Sequence, residues 1–183
     1  MYHKSGRYER SAERFRESAE IGQRAGLQKA QAKGLAAEGQ ALWNMGKLDD
    51  ALARHRQAMA LRESIGDESG IAWQAVQVAK IQLQSGDREA ARQAFQRALE
   101  LQKKLDDKGS EADTRLELGD LFLTLKQPDK ALVEFSQARE LLKTLGQRVR
   151  EASAIQTMAS ATMNAGDHAG ADKLITGAIA ILE

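Results

Sequence analysis

Three histidines, His3, His55 and His168, carry the side chains best suited to acid–base or metal-binding chemistry in this sequence. They stand at unrelated positions, and no His-Glu-x-x-His or Gly-x-Ser-x-Gly motif accompanies them. The chain has no cysteine, which excludes thiolate metal sites and disulfides and fits a reducing compartment. We therefore expect a cytoplasmic protein whose histidines have ordinary packing roles.

The pair Gly46-Lys47 is a weak hint of a phosphate-binding loop. Such a loop requires a Ser or Thr after the lysine and a strand before the glycine. Here Leu48 follows the lysine, and no strand is predicted before it. The sequence thus predicts neither a cofactor nor an enzyme.

Charged residues make up 29% of the chain but cancel to a net charge of +1. This balance gives no overall field toward nucleic acid or an anionic membrane. The basic residues Arg7, Arg10 and Arg14 alternate with Glu9 and Glu13, which predicts a solvated, ion-paired helix. No apolar stretch approaches the roughly 20 residues that span a bilayer. We expect neither a nucleic-acid partner nor membrane insertion.

Spacing of the glycines reveals an internal repeat. Gly46, Gly86 and Gly166 stand in register with Lys126 at steps of 40 residues, and Gly6 extends the series. A period of this length indicates stacked helical units that share one continuous core. The composition, with one proline and 4% aromatic residues, also favours helices over strands.

Each unit begins with an amphipathic pattern of small and large apolar residues. Alanines recur five and twelve places after the unit starts at residues 46, 86, 126 and 166, and a bulky residue recurs nine places after each start. This bulky plug is Phe15, Phe95, Phe135 or Ile175, and His55 is the polar exception. The pattern predicts nine helices at about residues 7–25, 28–45, 48–65, 68–85, 88–105, 108–125, 128–145, 148–165 and 168–183.

Successive predicted helices place large and small residues in two patterns: Leu118-Gly119-x-x-Phe122 and Ala131-x-x-x-Phe135-x-x-Ala138. These patterns resemble the tetratricopeptide repeat, and the resemblance covers the whole chain. It implies an all-α, right-handed superhelical solenoid of antiparallel helix pairs. The period of 40 and the absence of a proline at the end of the second helix imply the extended class, with longer helices. Armadillo-like or HEAT-like pairs share this period and are the structural alternative.

The repeat divides residues 1–183 into one partial unit and four further units of a single solenoid: 1–27, 28–67, 68–107, 108–147 and 148–183. In this register Tyr2–Gly6 corresponds to a turn, so the first unit lacks its first helix. The last helix carries an apolar stripe without a polar closing helix, which solenoids normally need. We expect a segment of a longer array, or ends that pair with another copy.

In the family resembled here, the first helix of each unit lines a concave groove that binds a peptide. The residues one step around each first helix from its core stripe would then face the ligand: Lys33, Ala36, Gln40, Trp43, Asn44, Trp73, Val76, Lys80, Leu83, Asp113, Leu116, Asp120 and Leu123. Trp43 and Trp73 would lie about 18 Å apart, a span that suits five or six residues of extended peptide. The alternative is that both tryptophans only pack between units.

Two polar residues of this stripe, Lys80 and Asp120, have two interpretations. They either hold charged groups of a peptide or pair with each other. At the level of function, we expect an adaptor that binds a protein or peptide partner in a multi-protein assembly. The alternatives are a segment that forms homo-oligomers through its apolar ends and a regulatory or sensor module of a bacterial signalling protein or transcription regulator.

Overall fold

The computed structural model describes residues 2–183, with side chains described from Gly6 onward. Within these residues the chain is all-α and contains nine helices. In chain order they are α1 (Tyr2–Arg24), α2 (Gln28–Asn44), α3 (Leu48–Ser64), α4 (Glu68–Ser85), α5 (Arg88–Lys104), α6 (Lys108–Thr124), α7 (Pro128–Thr144), α8 (Arg148–Asn164) and α9 (His168–Leu182). Helices α2 to α9 confirm the predicted bounds to within one residue at each end.

The predicted start of the first helix was wrong. Tyr2–Gly6, which the repeat register assigned to a turn, belongs to α1. Gly46, Gly86 and Gly166 have positive φ angles of 76°, 89° and 91°, whereas Gly6 does not have one. A glycine inside a helix costs only about 1 kcal/mol relative to alanine, which the hydrogen bonds of the surrounding turns offset.

The eight turns between these helices share one geometry. Each contains a residue with positive φ, and these residues are spaced 20 positions apart along the chain. The following N–H group donates to the carbonyl five residues earlier, at N···O distances of 2.8–3.2 Å, as in the Schellman motif. Glycine occupies six of the eight positions, and Asp106 and Lys126 occupy the others at φ angles of 52° and 57°. One 40-residue repeat is therefore two helix-and-turn segments of equal length.

Packing divides the chain into two compact units, one ending at Leu101 and the other starting at Gln102. In the first unit α1, α2, α3 and α4 pack in succession, each against the next. In the second unit α6, α7, α8 and α9 do the same. The predicted all-α fold of sequentially packed helices is confirmed.

Small residues form the contacts between helices, as the sequence predicted. The alanines five and twelve places after each unit start are at most 1% exposed. They are Ala51, Ala58, Ala91, Ala98, Ala131, Ala138, Ala171 and Ala178. Because these side chains are short, the helix backbones approach each other closely and leave space for the large plug residues.

The plug residues differ in burial along the chain. Phe95, Phe135 and His55 are fully buried, whereas Phe15 and Ile175 are 39% and 38% exposed. Gly119 makes room for the ring of Phe135, since a Cβ added at this glycine would overlap with that ring. Gly39 serves His55 in the same way, because an added Cβ would lie 2.9 Å from the His55 Cδ2 atom.

Both units bury ion pairs within their helix contacts. In the first unit Glu38 is 1% exposed and lies between two arginines, 2.9 Å from Arg16 Nε and 3.2 Å from Arg54 Nε. In the second unit the signs are reversed, since Arg115 lies 2.8 Å from Glu111 and 2.6 Å from Glu134. Buried charges need such partners, because leaving water is costly for an isolated ion.

Candidate functional site

In the first unit, the predicted ligand-facing stripe of α2 is only partly accessible. Lys33 and Asn44 are exposed, Gln40 is half-buried, and Ala36 is 4% exposed. Gln40 donates a hydrogen bond from Nε2 to Asn44 Oδ1 at 3.3 Å, so these two amides partly satisfy each other. Ala36 therefore presents almost no surface to a ligand, while its neighbours on the stripe do.

Trp43 joins helices together. Its indole Nε1 donates to Gln84 Oε1 on α4. Together with Leu48 and Leu52, it packs against a buried cluster of Leu42, Ala51 and Ile81. These contacts link α2, α3 and α4, and they support the packing interpretation for this tryptophan.

Trp73 on α4 has a different environment. It is 47% exposed, and its ring centroid lies 6.3 Å from that of the buried His55 on α3. Val76, Lys80 and Leu83 are half-buried along the same helix. Trp73 thus offers a large aromatic surface above a packed layer, an arrangement typical of binding hot spots.

In the second unit, the structure brings three predicted stripe residues to one cavity. Asp113, Leu116 and Asp120 of α6 line a space of about 220 Å³, which α8 closes from the side. The remaining lining residues come from α7 and α8: Phe135, Arg150, Ser153, Ala154 and Thr157. Leu123, further along α6, is half-buried.

The two carboxylates of this cavity differ in their partners. Asp113 forms an ion pair with Arg150, which also donates to Gln147 Oε1 at 2.5 Å. Asp120 forms no ion pair within the second unit. Partial desolvation, followed by the negative charge of Glu117, raises the pKa of the Asp120 carboxyl group. A cation placed here would lower that pKa and stabilise the ionised form.

The proposed pairing of Lys80 with Asp120 stays a prediction. The histidines take up no common site: His55 is fully buried and His168 is exposed at the start of α9, while the side chain of His3 lies outside the described residues. Among the described residues, no group of histidine and carboxylate side chains could hold a metal ion. In the same part of the chain, no helix is long and apolar enough to cross a membrane.

His55 occupies its plug position as a neutral ring. Burial lowers its pKa, against the smaller opposing effect of a hydrogen bond to Gln74. Its Nδ1 lies 3.4 Å from Gln74 Oε1, and Gln74 Nε2 donates to the His55 carbonyl at 3.3 Å. The Nε2 atom of His55 has no hydrogen-bond partner within the described part of the chain. His55 therefore destabilises the core in which it lies, and its ring is shielded from solvent and unsuited to acid–base catalysis.

Positions 135 and 154 are equivalent to positions 55 and 74, 80 residues earlier, and hold Phe and Ala. The double variant His55→Phe, Gln74→Ala introduces the same pair of residues in the first unit. We expect the double variant to be more stable than wild type by about 1 kcal/mol at pH 8, because an unpartnered buried nitrogen is removed. The difference should grow as the pH falls below about 6.5, since unfolded histidine then binds a proton that the folded ring resists. Urea denaturation at pH 5 and pH 8 measures both effects.

The single variant Gln74→Ala is the control, because it leaves the histidine and its pH dependence in place. If wild type and the double variant lost stability equally between pH 8 and pH 5, His55 would not be the group responsible. Equal stability at pH 8 would show that the unpartnered nitrogen costs little.

Sequence reasoning missed several residues of these sites. Arg150 and Gln84 reach across from neighbouring helices, and the repeat pattern gives no sign of such contacts. Glu38 could have been found, because steps of 40 from it give Val78, Leu118 and Met158, all buried and apolar. A charged residue at a repeat position that is otherwise apolar and buried is a signal of a special local environment.

Comparison with known protein families agrees with this architecture. Profiles described as tetratricopeptide repeat match residues 70–144 and residues 39–65, together more than half of the chain. The chain belongs to the tetratricopeptide repeat family. Tetratricopeptide repeat modules generally mediate protein–protein interactions and are typically non-catalytic. A comparison with curated proteins gives no significant match.

Solved structures show the same tetratricopeptide repeat fold at low sequence identity. BtubC (BKLC) from P. vanneervenii superposes with a TM-score of 0.86 at 21% identity, over 98% of this chain and 74% of that one. The nearly identical TPR-like repeats of a protein described as a kinesin light chain from Podosopora anserina give 0.71 at 16%, over 100% and 97%. MamA 41-end from Desulfovibrio magneticus RS-1 gives 0.63 at 15%, over 93% and 94%.

Proposed function

We propose that this tetratricopeptide repeat chain is a non-enzymatic scaffold that binds a segment of a partner protein on the predicted stripe residues of α6, within the second unit. The observation that carries the proposal is the cavity lined by Asp113, Leu116 and Asp120. It combines an apolar wall, polar groups from α8 and a carboxylate, that of Asp120, which forms no ion pair within the second unit. Such convergence of a few polar groups on an apolar wall is typical of binding sites.

The dimensions of the cavity favour one side chain of a polypeptide. Its volume of about 220 Å³ is smaller than the roughly 300–1,000 Å³ of sites for drug-sized ligands. A lysine or arginine side chain would place its stem on Leu116 and its charge near Asp120. The proposed partner segment therefore carries a basic residue. Trp73, in the first unit, is a separate candidate contact.

The experiment begins with a phage-displayed library of random octapeptides selected on the wild-type protein. For a synthetic selected peptide, fluorescence anisotropy gives the Kd for wild type, Leu116→Ala and Asp120→Asn. We expect each substitution to raise the Kd about 10- to 30-fold, the loss of about 1.4–2 kcal/mol that marks an important contact. A lysine-to-norleucine peptide should lose affinity for wild type and lose little for Asp120→Asn.

Glu100→Gln is the matched control, since Glu100 is exposed on α5 and lies outside the stripe. Circular dichroism first establishes that each variant is folded. Unchanged Kd values for both stripe variants would place the binding surface elsewhere. An effect of the control equal to theirs would show that only overall charge matters.

A second candidate function, self-association, rests on the surface of α9. Ile175, Ile179 and Leu182 are 38%, 55% and 52% exposed along this helix. An apolar surface of this kind often contacts another protein. Light scattering across a concentration series tests this candidate, and a constant monomer mass would contradict it.

A further inference from the structure

A cavity in the first unit lies on the opposite side of α2 from the predicted stripe. It has a volume of about 500 Å³ and is bounded by α1, α2 and α3. Residues 31, 35 and 38 of α2 line the cavity, whereas residues 33, 36, 40, 43 and 44 form the stripe. Because each residue of a helix is rotated by about 100° from the one before, these two sets lie on opposite faces of α2. The full lining is Arg16, Ala19, Glu20, Gln23, Gln31, Leu35, Glu38, Arg54, Gln57, Ala60 and Leu61.

Glu38 is the buried charge of this cavity, with 1% of its surface exposed. Its Oε1 atom accepts a hydrogen bond from Arg16 Nε at 2.9 Å. Its Oε2 atom lies 3.2 Å from Arg54 Nε but accepts no hydrogen bond from any described group. A buried acceptor in this state is destabilising, and a donor that entered the cavity could satisfy it.

The fold does not require a charge at this position. The equivalent residues of the other repeats, Val78, Leu118 and Met158, are buried and apolar. Replacing a buried ion pair by well-packed apolar residues of similar size is often neutral or stabilising. The departure from the apolar series at Glu38 therefore points to a role other than stability.

Charges around the cavity cancel and restrict the ligand. Arg16 and Arg54 oppose a cation, and Glu20 and Glu38 oppose an anion, so a neutral polar group fits best. Arg16 contacts Glu38 only through Nε, which leaves its terminal nitrogens able to donate to a ligand oxygen. The ligand must then combine a neutral N–H donor with an adjacent acceptor.

We propose that this cavity binds a carboxamide group, with its N–H donating to Glu38 Oε2 and its carbonyl accepting from Arg16. Ala19, Leu35 and Ala60 provide an apolar wall for the carbon atoms attached to the amide. The volume of about 500 Å³ falls within the roughly 300–1,000 Å³ range of small-molecule sites. The group belongs either to a small amide or to an asparagine or glutamine side chain of a partner.

Nuclear magnetic resonance titration of the whole chain tests the proposal with propionamide, propionate and propylammonium as probes. We expect propionamide alone to shift the Nε–Hε signals of Arg16 and Arg54 in a saturable way, at millimolar concentrations. The variant Glu38→Leu should lose this response. Equal saturable shifts with the charged probes, or no saturable shift with propionamide, would overturn the proposal.

A second variant, Ala60→Phe, keeps the test decisive if Glu38→Leu changes the fold. Ala60 is exposed on α3, so a larger side chain fills the cavity from its rim. We expect at least a tenfold rise in the propionamide Kd. Unchanged binding in this folded variant would place the amide elsewhere and overturn the assignment.

The source of the amide is distinguished with two blocked tripeptides, acetyl-Ala-Gln-Ala methyl ester and acetyl-Ala-Met-Ala methyl ester, in which only glutamine supplies a primary carboxamide. A glutamine peptide that binds at least tenfold more tightly than propionamide, and also more tightly than the methionine peptide, supports a polypeptide partner. Equal affinity for propionamide and the glutamine peptide supports a small amide. Trp73→Ala and Asp120→Asn should leave propionamide binding unchanged, so the result is separate from the test of the predicted stripe.

Discussion

Replacing Phe135 with alanine should lower the free energy of unfolding by about 3–5 kcal/mol, the usual loss for a fully buried phenylalanine. Its side chain is 0% exposed and fills the space that Gly119 leaves open. The surrounding helices cannot collapse fully into the vacated volume, because many small residues already hold their backbones close together. Urea denaturation measures the loss.

Phe15→Ala is the matched control, since Phe15 occupies the same repeat position 120 residues earlier and is 39% exposed. The same change in chemistry should cost about 1–2 kcal/mol there, because less apolar surface leaves water on folding. Native-state hydrogen exchange locates each effect, with α6 to α8 losing protection in Phe135→Ala. Equal costs at the two positions would show that burial does not set the contribution of the plug.

Glu38→Leu should raise the free energy of unfolding by about 1 kcal/mol, because it removes a buried oxygen that lacks a hydrogen-bond donor among the described residues. The side chains of Arg16 and Arg54 are 52% and 33% exposed and can be solvated. The substitution restores the apolar series of Val78, Leu118 and Met158. The gain is measured by urea denaturation of the whole chain.

Two further variants define this effect. Glu100→Leu makes the same change at an exposed position of α5 and should alter stability by no more than about 0.5 kcal/mol. Arg54→Ala leaves the buried carboxylate with one arginine and should lower stability. A loss of stability in Glu38→Leu would mean that the ion pairs of Glu38 with the two arginines stabilise the fold more than apolar packing of a leucine does.

Much of the fold could be predicted because turn residues and the spacing of apolar residues are visible in the sequence. The ends of α1 to α8 were predictable because a residue with positive φ follows each of these helices, at intervals of 20 residues. Phe135 and Ala138 were predictable as core residues because small and large apolar residues recur at helical spacing. Gly6 was misassigned since glycine is tolerated inside a helix as well as in a turn.

The environment of the predicted stripe was harder to infer. Trp43 and Trp73 have the same residue type, yet Trp43 bonds to Gln84 and Trp73 stays 47% exposed. That difference depends on how far side chains of the next helix reach. The ion pair of Asp113 with Arg150 has the same origin, because long side chains form it across helices and no sequence period records it.

The even spacing of the turns has a consequence for how such a chain can change in length. Each positive-φ residue lies 20 positions from the next, so removing or duplicating any 40 consecutive residues joins two equivalent points of the backbone. The new junction requires no new turn geometry, and every helix keeps its neighbour type. A gain or loss of 20 residues would instead exchange the two helix types and misplace each plug. Recombination between repeats can therefore extend or shorten this protein in steps of a whole helix pair.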